Sequence, residues 1–255
     1  MAATVIIPAR FGSTRFPAKI LAAQTGRPLV QHVVDQVRQC RRVSQIIVAT
    51  DDARINDALK PYGTTVCMTS AAHQSGTDRI AEVARGLTDP IVVNVQGDEP
   101  EIEPEIVDSL IERLETHADD MATAATAFAA GADPLNPNLV KVVVGVDGRA
   151  IYFSRSLIPF PRDPAGDCNA GPLLHLGIYA YRRDFLLQFA AWSPTPLELT
   201  EKLEQLRALE HGRLIFVLKV HRATHGIDTP EQYQSFVTRY KQRAAGLSSA
   251  GSRNI

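Results

Sequence analysis

The sequence predicts an α/β protein with a Rossmann-like, doubly wound and mostly parallel sheet that carries a smaller β-rich insertion. Three observations lead to this prediction. Short apolar runs and amphipathic helical segments alternate through the first half of the chain, the apolar runs are nearly continuous, and a proline-rich stretch interrupts the alternation later. Strands that are buried on both faces and separated by crossover helices are typical of parallel sheets.

Four short apolar runs supply the predicted strands, at residues 5–7, 46–48, 65–68 and 91–95. Most of them consist of valine and isoleucine with little polar alternation. An antiparallel strand with one face in water would alternate polar and apolar residues. The observed pattern therefore indicates strands that are covered on both faces.

Four helical segments separate or follow these strands, at 30–37, 52–60, 77–86 and from residue 104 onward. In the first, valines recur at i, i+3, i+4 and i+7 behind Pro28, which is the spacing of one buried helix face. Since ligands bind at the carboxyl ends of the strands in a doubly wound sheet, we expect functional groups there.

The second half departs from this alternation between residues 133 and 175, where six prolines accompany a hairpin signal at 146–148. We interpret this segment as an insertion that forms a β-rich flap. A strand at 176–181, helices at 185–190 and 197–211, a strand at 215–220 and a terminal helix from Pro230 are predicted beyond it. The chain is expected to form a single domain over 1–243, followed by a flexible tail over 244–255.

Composition excludes several classes of partner. With 255 residues and 45% apolar content the chain can bury a full core, and 27 basic against 28 acidic residues argue against nucleic-acid or anionic-membrane partners. Cys40, Cys67 and Cys168 are odd in number and widely spaced, which indicates free thiols in a reducing compartment. No secretory leader or apolar span is recognisable, so we expect a cytoplasmic protein without membrane insertion.

The loop after the first strand concentrates cations and small residues. The apolar run that ends at Pro8 is followed by Arg10, Gly12, Ser13, Thr14, Arg15 and Lys19. Glycine lets backbone amides approach an anion, and arginine and lysine neutralise phosphate charge. This loop predicts a triphosphate site, with an ordinary polar loop as the alternative.

Two aspartates are candidate magnesium ligands. Asp98 follows the fourth strand in the run 96–100, and Asp228 precedes the terminal helix. Magnesium needs few carboxylates, because waters and substrate phosphates complete its coordination. As alternatives, Asp98 could be an ordinary turn residue and Asp228 could cap the helix, a role that Thr229 could also fill.

Other polar side chains are ambiguous from the sequence. Ser75, Thr77 and Arg79 open the third helix and could recognise a ribose and a base, but Thr77 as an N-cap beside a solvated Arg79 explains them equally well. A polar pocket and ordinary core or surface positions are both compatible with His175, Tyr179, Glu204 and Gln205.

Taken in order, these motifs resemble the 3-deoxy-manno-octulosonate cytidylyltransferase family, also called the CMP-Kdo synthetases. The similarity covers residues 4–240 and rests on Ser13, Arg15, Lys19 and the runs at 7–10, 75–79, 96–100, 153–155, 175–179, 203–207 and 228–231. The resemblance implies a fold of the nucleotide-diphospho-sugar transferase type. It also implies magnesium-dependent transfer of CMP from CTP to a 2-keto-3-deoxy sugar acid, with release of pyrophosphate.

The resemblance further implies roles for single residues. Arg10, Lys19 and Asp98 match catalytic positions, and Asp98 and Asp228 match the magnesium pair. Nucleotide-binding positions correspond to Arg10, Ser13, Lys19, Ser75, Thr77 and Arg79, to which Gly12 is added from its place in the loop. Segments that resemble the sugar-acid pocket contain Gln96, Arg155, His175, Tyr179, Glu204 and Gln205, with Arg155 as a counter-ion for a carboxylate. The chain departs from the family pattern at Leu157, Leu174 and His225.

Alternatives to this function stay open. A cytidylyltransferase for sialic acid or an amino-substituted sugar acid is the main one, and a non-catalytic nucleotide-binding module is another. A nicotinamide-linked dehydrogenase is disfavoured, because no Gly-x-Gly-x-x-Gly follows the first strand. A homodimer is predicted from the apolar content of the insertion, namely Leu135, Val142, Val144, Ile151, Phe153, Leu157, Ile158 and Phe160.

Overall fold

The computed structural model describes residues 3–13, 15–162, 171–221 and 226–251, with side chains described as far as residue 244. Thr14, Cys168 and His225, on which some of the expectations above rest, lie outside these ranges. Residues 163–170 of the predicted insertion also lie outside them.

Strands and helices alternate along the first half of the described chain. They are β1 (Ala3–Pro8), α1 (Leu29–Val37), β2 (Val43–Thr50), α2 (Ala53–Leu59), β3 (Val66–Met68), α3 (Gly76–Ala84), β4 (Ile91–Asn94) and α4 (Pro104–Thr116). The second half contains β5 (Met121–Ala127), β6 (Lys141–Val144), β7 (Ala150–Ser154), β8 (Leu173–Arg182), α5 (Arg183–Ala191), α6 (Pro196–Glu201), α7 (Gln205–Glu210), β9 (Ile215–Val220) and α8 (Pro230–Gly251).

The strands form one sheet, whose main path runs in the order β3-β2-β1-β4-β8-β5-β9. Parallel pairs join β1 to β2 and β4, β2 to β3, and β5 to β9. Within this path β8 alone runs the opposite way, because it is antiparallel to both β4 and β5. The prediction of a mostly parallel, doubly wound sheet is confirmed.

Helices cover both faces of the sheet, which explains the continuous apolar runs. On one face α1, α2 and α4 pack against a cluster that includes Val5, Ile7 and Val93. On the other face α3, α5 and α7 pack against Ile6 and Val92. All residues of β4, and all residues of β1 except the half-buried Pro8, are therefore buried, so neither strand shows polar alternation.

The structure contains a strand, β5, that the sequence did not predict. β5 has the sequence Met-Ala-Thr-Ala-Ala-Thr-Ala, and only its last residue is exposed. Alanine is depleted in strands, so this segment carries no strand signal of its own. It adopts a strand because β8 and β9 pair with its two edges and bury it.

Two predicted helix boundaries are wrong. The single helix predicted over 197–211 is divided into α6 and α7, because Lys202 ends α6 in the left-handed conformation with a φ of 52°. The terminal helix α8 extends beyond residue 243 to Gly251, so the predicted start of the tail at 244 is too early. Alanine at 244 and 245 favours continued helix over a coil.

The predicted insertion contains the hairpin β6–β7, which packs into the body of the domain. Its turn is closed by the Gly145 N–H, which donates to the Arg149 carbonyl at 2.8 Å, and Gly148 adopts a φ of 81°. At its base the fully buried Lys141 donates to three backbone carbonyls, including that of Leu139 at 2.7 Å. Pairing of β6 with β8 makes the hairpin an extension of the main sheet.

Within the described residues, no helix combines the length and the hydrophobicity needed to cross a lipid bilayer.

Candidate active site

A cleft of about 420 Å³ opens where the carboxyl ends of β1 and β4 meet. Because these two strands pair side by side in parallel, the loop after β1 and the run 96–98 emerge at the same edge of the sheet. The cleft is lined by Pro8, Arg10, Gly12, Ser13, Arg15, Lys19, Ile20, Gly76, Gln96, Gly97, Asp98 and Asp228. The structure thus brings the predicted triphosphate loop together with the predicted magnesium pair.

Lys19 carries the positive charge that links the two carboxylates. It opens a short 3-10 turn, Lys19–Leu21, directly after Ala18, whose φ of 55° is left-handed. The Lys19 side chain is only 9% exposed, and its Nζ lies 2.6 Å from Asp98 Oδ2 and 3.2 Å from Asp228 Oδ1. A buried ammonium needs anionic partners, so the three groups stabilise one another.

Asp228 is not the cap of the terminal helix. The Gln232 side-chain oxygen accepts the N–H groups of Asp228 at 2.6 Å and of Thr229 at 3.0 Å, and the Thr229 hydroxyl accepts the Gln232 N–H at 3.3 Å. This reciprocal arrangement is a capping box centred on Thr229. The Asp228 carboxylate instead faces Lys19 and Arg15, whose guanidinium lies 3.0 Å from Oδ1. The alternative of Asp228 as an N-cap is therefore wrong.

Backbone contacts keep Asp98 next to Asp228. The Ile227 N–H donates to the Asp98 carbonyl at 2.9 Å, which joins the loop after β4 to the segment before α8. Gly97 packs tightly onto β1, since a Cβ there would lie 3.0 Å from the Pro8 carbonyl oxygen. The loop that presents Asp98 therefore has little freedom to move away from the phosphate loop.

Glu99, the residue after Asp98, is buried at 8% exposure. Burial, with a smaller contribution from the Asp98 charge, raises the pKa of Glu99 to about 8. The Glu99 carboxyl is therefore mostly protonated at neutral pH. Among the residues that line the cleft, Asp98 and Asp228 carry the negative charge.

Asp98 and Asp228 fit a magnesium ion. Their carboxylate oxygens converge on a single cation, the Lys19 ammonium, and the two side chains are 28% and 43% exposed. Magnesium takes one or two carboxylates and completes its coordination with water and substrate phosphate. Among the described residues, no group of three or more His, Cys, Asp or Glu could enclose a metal by itself. An ion at this pair would therefore depend on oxygen ligands from a substrate.

The hydroxyl groups at the start of α3 contact other protein groups. Ser75 is the N-cap, and its Oγ accepts the Asp78 N–H at 3.0 Å, so the alternative in which Thr77 is the cap is wrong. The Thr77 hydroxyl donates to the Glu204 carboxylate. Any contact of this segment with a nucleotide would use the backbone or require these hydroxyls to be shared.

Arg79 is also engaged within the protein. It is 1% exposed, and its guanidinium lies 2.5 Å from the Thr69 hydroxyl and 3.2 Å from Asp51. The alternative of a solvated Arg79 is therefore wrong. Arg79 holds the loop after β3 to the carboxyl end of β2, while Arg10 donates to the His73 carbonyl of the same loop at 3.4 Å.

The residues predicted to bind the sugar acid come from three places in the fold. Gln96 follows β4, and its amide donates to the Gly177 carbonyl on β8 at 3.3 Å. The rings of His175 and Tyr179 lie 5.4 Å apart on β8. Gln205 opens α7 and is buried, and its Nε2 is a buried donor without a partner among the described residues.

Glu204 connects this group to the start of α3. Its carboxylate accepts from Thr77 and lies 3.5 Å from the Arg207 guanidinium, which itself pairs with Glu198 at 2.5 Å. Burial raises the pKa of Glu204, while the Thr77 hydroxyl and the Arg207 charge oppose that rise. The segments predicted to bind nucleotide and sugar are therefore in direct contact.

Arg155 is placed differently from the expectation. Its guanidinium donates to the carbonyls of Glu201 at 2.6 Å, Pro137 at 2.9 Å and Lys202 at 3.2 Å. All its nitrogens are thus used on backbone, and Arg155 attaches the insertion to the end of α6. The structure gives no support to a carboxylate-binding role for this residue.

Two contacts of the site were not predicted. Arg15 was predicted only as a cation of the triphosphate loop, and the structure pairs it with Asp228. Asp51 directly follows β2, a position that signals the cleft, yet its contact with Arg79 depends on how α3 packs. Neither pairing can be read from spacing in the sequence.

Fold and site together define a class of protein. A doubly wound sheet that presents a cationic loop opposite a pair of carboxylates, at the carboxyl ends of adjacent parallel strands, is suited to transfer of a nucleotidyl group. The protein is a nucleotidyltransferase.

More specifically, the chain belongs to the cytidylyltransferase family, whose model matches residues 4–215. A Geobacter sulfurreducens protein named 3-deoxy-manno-octulosonate cytidylyltransferase is 49% identical over 247 residues, which cover 93% of this chain and 99% of the relative. A protein of the same name from Nitratidesulfovibrio vulgaris is 47% identical over 230 residues, covering 89% and 91%.

A solved structure agrees with these relatives. It is described as a CMP:2-keto-3-deoxy-manno-octonic acid synthetase complexed with CTP, is 39% identical, has a TM-score of 0.90, and covers 95% of this chain and 100% of the solved chain. A cytidylyltransferase from Leptospira borgpetersenii, 17% identical with a TM-score of 0.62, shares the fold. The family resemblance stated from the motifs is confirmed, together with the nucleotidyltransferase type of fold.

Proposed function

We propose that this enzyme transfers CMP from CTP to the anomeric hydroxyl of 3-deoxy-D-manno-octulosonate, giving CMP-Kdo and pyrophosphate for lipopolysaccharide biosynthesis. The observation that carries this proposal is the convergence of the Asp98 and Asp228 carboxylates on Lys19 beside the Arg10 loop. The names of the relatives and the CTP complex of the solved relative support the choice of substrates.

The residues of the cleft have different roles in the proposed reaction. Arg10 and Lys19 supply positive charge for the triphosphate, and Ser13 and the open space around Gly12 allow short hydrogen bonds to phosphate oxygens. The anomeric hydroxyl attacks the α-phosphorus in line with the departing pyrophosphate. The two reactants are both anionic and repel each other, and these cations reduce that repulsion while the reactants are held together.

Magnesium belongs to the proposal as the cofactor of this site. Asp98 and Asp228 would hold it, and the bound ion would neutralise phosphate charge and polarise the reacting oxygens. Lys19 and Arg15 balance these carboxylates in the structure. A triphosphate offers both cations a second set of anionic partners.

The sugar acid is proposed to occupy the side of the cleft near β8 and α7. Gln96, Tyr179 and Glu204 offer polar groups there, and Gln205 offers an amide N–H without a partner among the described residues. Burial raises the pKa of Tyr179, so its hydroxyl stays protonated and able to donate. Arg155 stays a predicted counter-ion that lacks geometric support.

A homodimer is also proposed. Val142 and Phe153 of the insertion are buried within this chain, which removes them from the apolar face that predicted a partner. Leu135, Ile151 and Phe160 remain 68%, 63% and 82% exposed, which is unfavourable in water and supports a covering subunit. Light scattering at micromolar protein should give the mass of two chains, and a monomer mass would contradict the proposal.

A cytoplasmic place of action is proposed from the cysteines. Cys40 and Cys67 are free thiols, and burial raises the pKa of Cys40 to about 12, so this thiol stays protonated at neutral pH. Free thiols of this kind are typical of a reducing compartment.

The function is tested by pyrophosphate release from the purified protein. We expect release only when CTP, the sugar acid and magnesium are all present, and chelation with EDTA should abolish it. A panel of CTP, UTP, ATP and GTP against 3-deoxy-manno-octulosonate, its 8-amino analogue and sialic acid identifies the substrates. Equal release of pyrophosphate without any sugar would indicate a nucleotidase rather than a transferase. No release with any pair of nucleotide and sugar acid would favour a non-catalytic binding module.

A further inference from the structure

The hydroxyl of Thr123, in the middle of β5, contacts three groups of β8 at once. Thr123 is fully buried, and its Oγ1 lies 2.7 Å from the Ile178 carbonyl oxygen, 3.2 Å from the Leu176 carbonyl oxygen and 3.0 Å from His175 Nε2. The pairing of β5 with β8 shifts register between residues 123 and 124, so the hydroxyl lies at a β-bulge.

The single hydrogen of the Thr123 hydroxyl determines the direction of each hydrogen bond. A threonine hydroxyl has one hydrogen to donate, and a carbonyl oxygen has none. Two oxygens 2.7 Å apart are at the usual O–H···O distance, so the Thr123 hydrogen lies towards the Ile178 carbonyl, with the Leu176 carbonyl as a weaker second acceptor. Thr123 therefore has only lone pairs left for His175, and the ring must donate its Nε2–H.

We infer that Thr123 is a positioning residue that keeps His175 in the Nε2–H tautomer, so that Nδ1 is a hydrogen-bond acceptor for a hydroxyl of the sugar acid. This inference rests on the proposed function, since it deepens the role of His175 in the same site. The second nitrogen of a neutral imidazole is an acceptor when the first carries the hydrogen. Among the described residues, the side-chain hydrogen bond of the His175 ring is the one at Nε2.

The surroundings of the ring keep it neutral and fix its plane. Burial lowers the pKa of His175 to about 3, so a second proton is not bound at neutral pH. Phe153 packs against the ring edge-on with centroids 5.0 Å apart, and the Tyr179 ring lies 5.4 Å away, tilted by 48°. Because the neutral ring carries its one hydrogen on Nε2, where Thr123 accepts the hydrogen bond, Nδ1 has no hydrogen to donate.

The first test measures the tautomer directly in the protein without ligands. Nitrogen NMR of protein labelled at the histidine rings separates protonated from unprotonated ring nitrogens, and a His175→Gln variant assigns the signals. We expect a protonated Nε2 and an unprotonated Nδ1 for His175 in the unmodified protein. The opposite assignment would overturn the inference, whether or not the protein has the proposed activity.

Two substitutions test whether Thr123 is responsible. Thr123→Ser keeps the hydroxyl and should keep the Nε2–H signal, whereas the nearly isosteric Thr123→Val removes the acceptor and should give a mixture of tautomers. Retention of the Nε2–H signal in Thr123→Val would show that Thr123 does not control the ring. Thermal unfolding of both variants checks that the comparison is made between folded proteins.

Kinetics distinguish positioning from a purely structural role. Thr123→Val should raise KM for the sugar acid about tenfold, the size of one neutral hydrogen bond, and leave KM for CTP within about twofold. Analogues that each lack one hydroxyl identify the sugar hydroxyl that contacts Nδ1. One of them should bind about tenfold more weakly than the complete sugar acid to the unmodified enzyme, but as tightly as the complete sugar acid to Thr123→Val. Equal increases in both KM values, or an equal loss with every analogue, would overturn the assignment of Nδ1 to a sugar hydroxyl.

Discussion

Replacement of Asp228 by asparagine should lower turnover strongly while leaving the fold intact. Since Thr229 and Gln232 form the helix cap, an amide at position 228 leaves the start of α8 unchanged. The contacts that change are those with Lys19 and Arg15, and the Arg15 pair has side chains 64% and 43% exposed. Lys19 keeps its nearer partner Asp98 at 2.6 Å, and an exposed pair such as Arg15–Asp228 contributes about 0–1 kcal/mol. The melting temperature should therefore change by less than about 4 °C.

The catalytic effect should be far larger than the structural one. If Asp228 acts mainly in the transition state, its loss should reduce kcat at least about 100-fold, which corresponds to ~2.7 kcal/mol. Arg10 and Lys19 still bind the triphosphate, so Kd for CTP should change by less than about threefold. Pairing with Asp98→Asn should cost much less than the sum of the two single effects, because groups that act as one unit are not additive.

The assay is pyrophosphate release at saturating CTP, sugar acid and magnesium, with calorimetry for CTP binding and thermal unfolding for stability. Asp57→Asn is the matched control, because this aspartate is 64% exposed and pairs with Lys60 at 2.7 Å outside the cleft. It should change none of the three quantities. Turnover of Asp228→Asn near the unmodified rate would refute the reasoning and leave Asp98 as the remaining carboxylate of the proposed metal site.

Two further predictions concern stability. Gly97→Ala places a Cβ 3.0 Å from the Pro8 carbonyl oxygen and should cost about 1–3 kcal/mol in chemical denaturation. Gly12→Ala, whose Cβ would meet no atom of the described residues within 4 Å, should cost nothing, and equal stability of the two variants would show that the loop yields freely. Burial lowers the pKa of His32, so around pH 6.5 the unfolded chain binds more protons at this ring than the folded protein does. The free energy of unfolding should therefore decrease as pH falls from about 7 to about 5, and His32→Gln should flatten this slope, which urea titrations at both pH values would show.

Much of the fold was predictable because its signals are local. The strands β1, β2 and β4 are apolar runs that need no knowledge of the rest of the chain, and α1 and α4 follow from residue spacing and from a proline at or before the first turn. The positions of Arg10 and Asp98 directly after two such strands predicted a shared cleft, since adjacent parallel strands end at the same edge. The family resemblance followed from the order of these motifs.

The remaining features depend on partners that are distant in the sequence. β5 is a strand because β8 and β9 border it, although its alanines give no strand signal. Arg155 looked like a ligand for a carboxylate until packing placed three backbone carbonyls around it. Lys202 ended a helix that looked continuous, because the chain turns there in the left-handed conformation.

Asp228 illustrates the difference between what local sequence determines and what only the tertiary structure decides. The sequence by itself determined that an aspartate stands before a proline at the start of the terminal helix, and local rules made it a candidate cap as readily as a metal ligand. Only the tertiary structure brought it to Lys19, 209 positions away in the chain. Local patterns report interactions that neighbouring residues can satisfy, whereas a charge in a cleft is satisfied by whatever group the packing of helices and sheet brings against it.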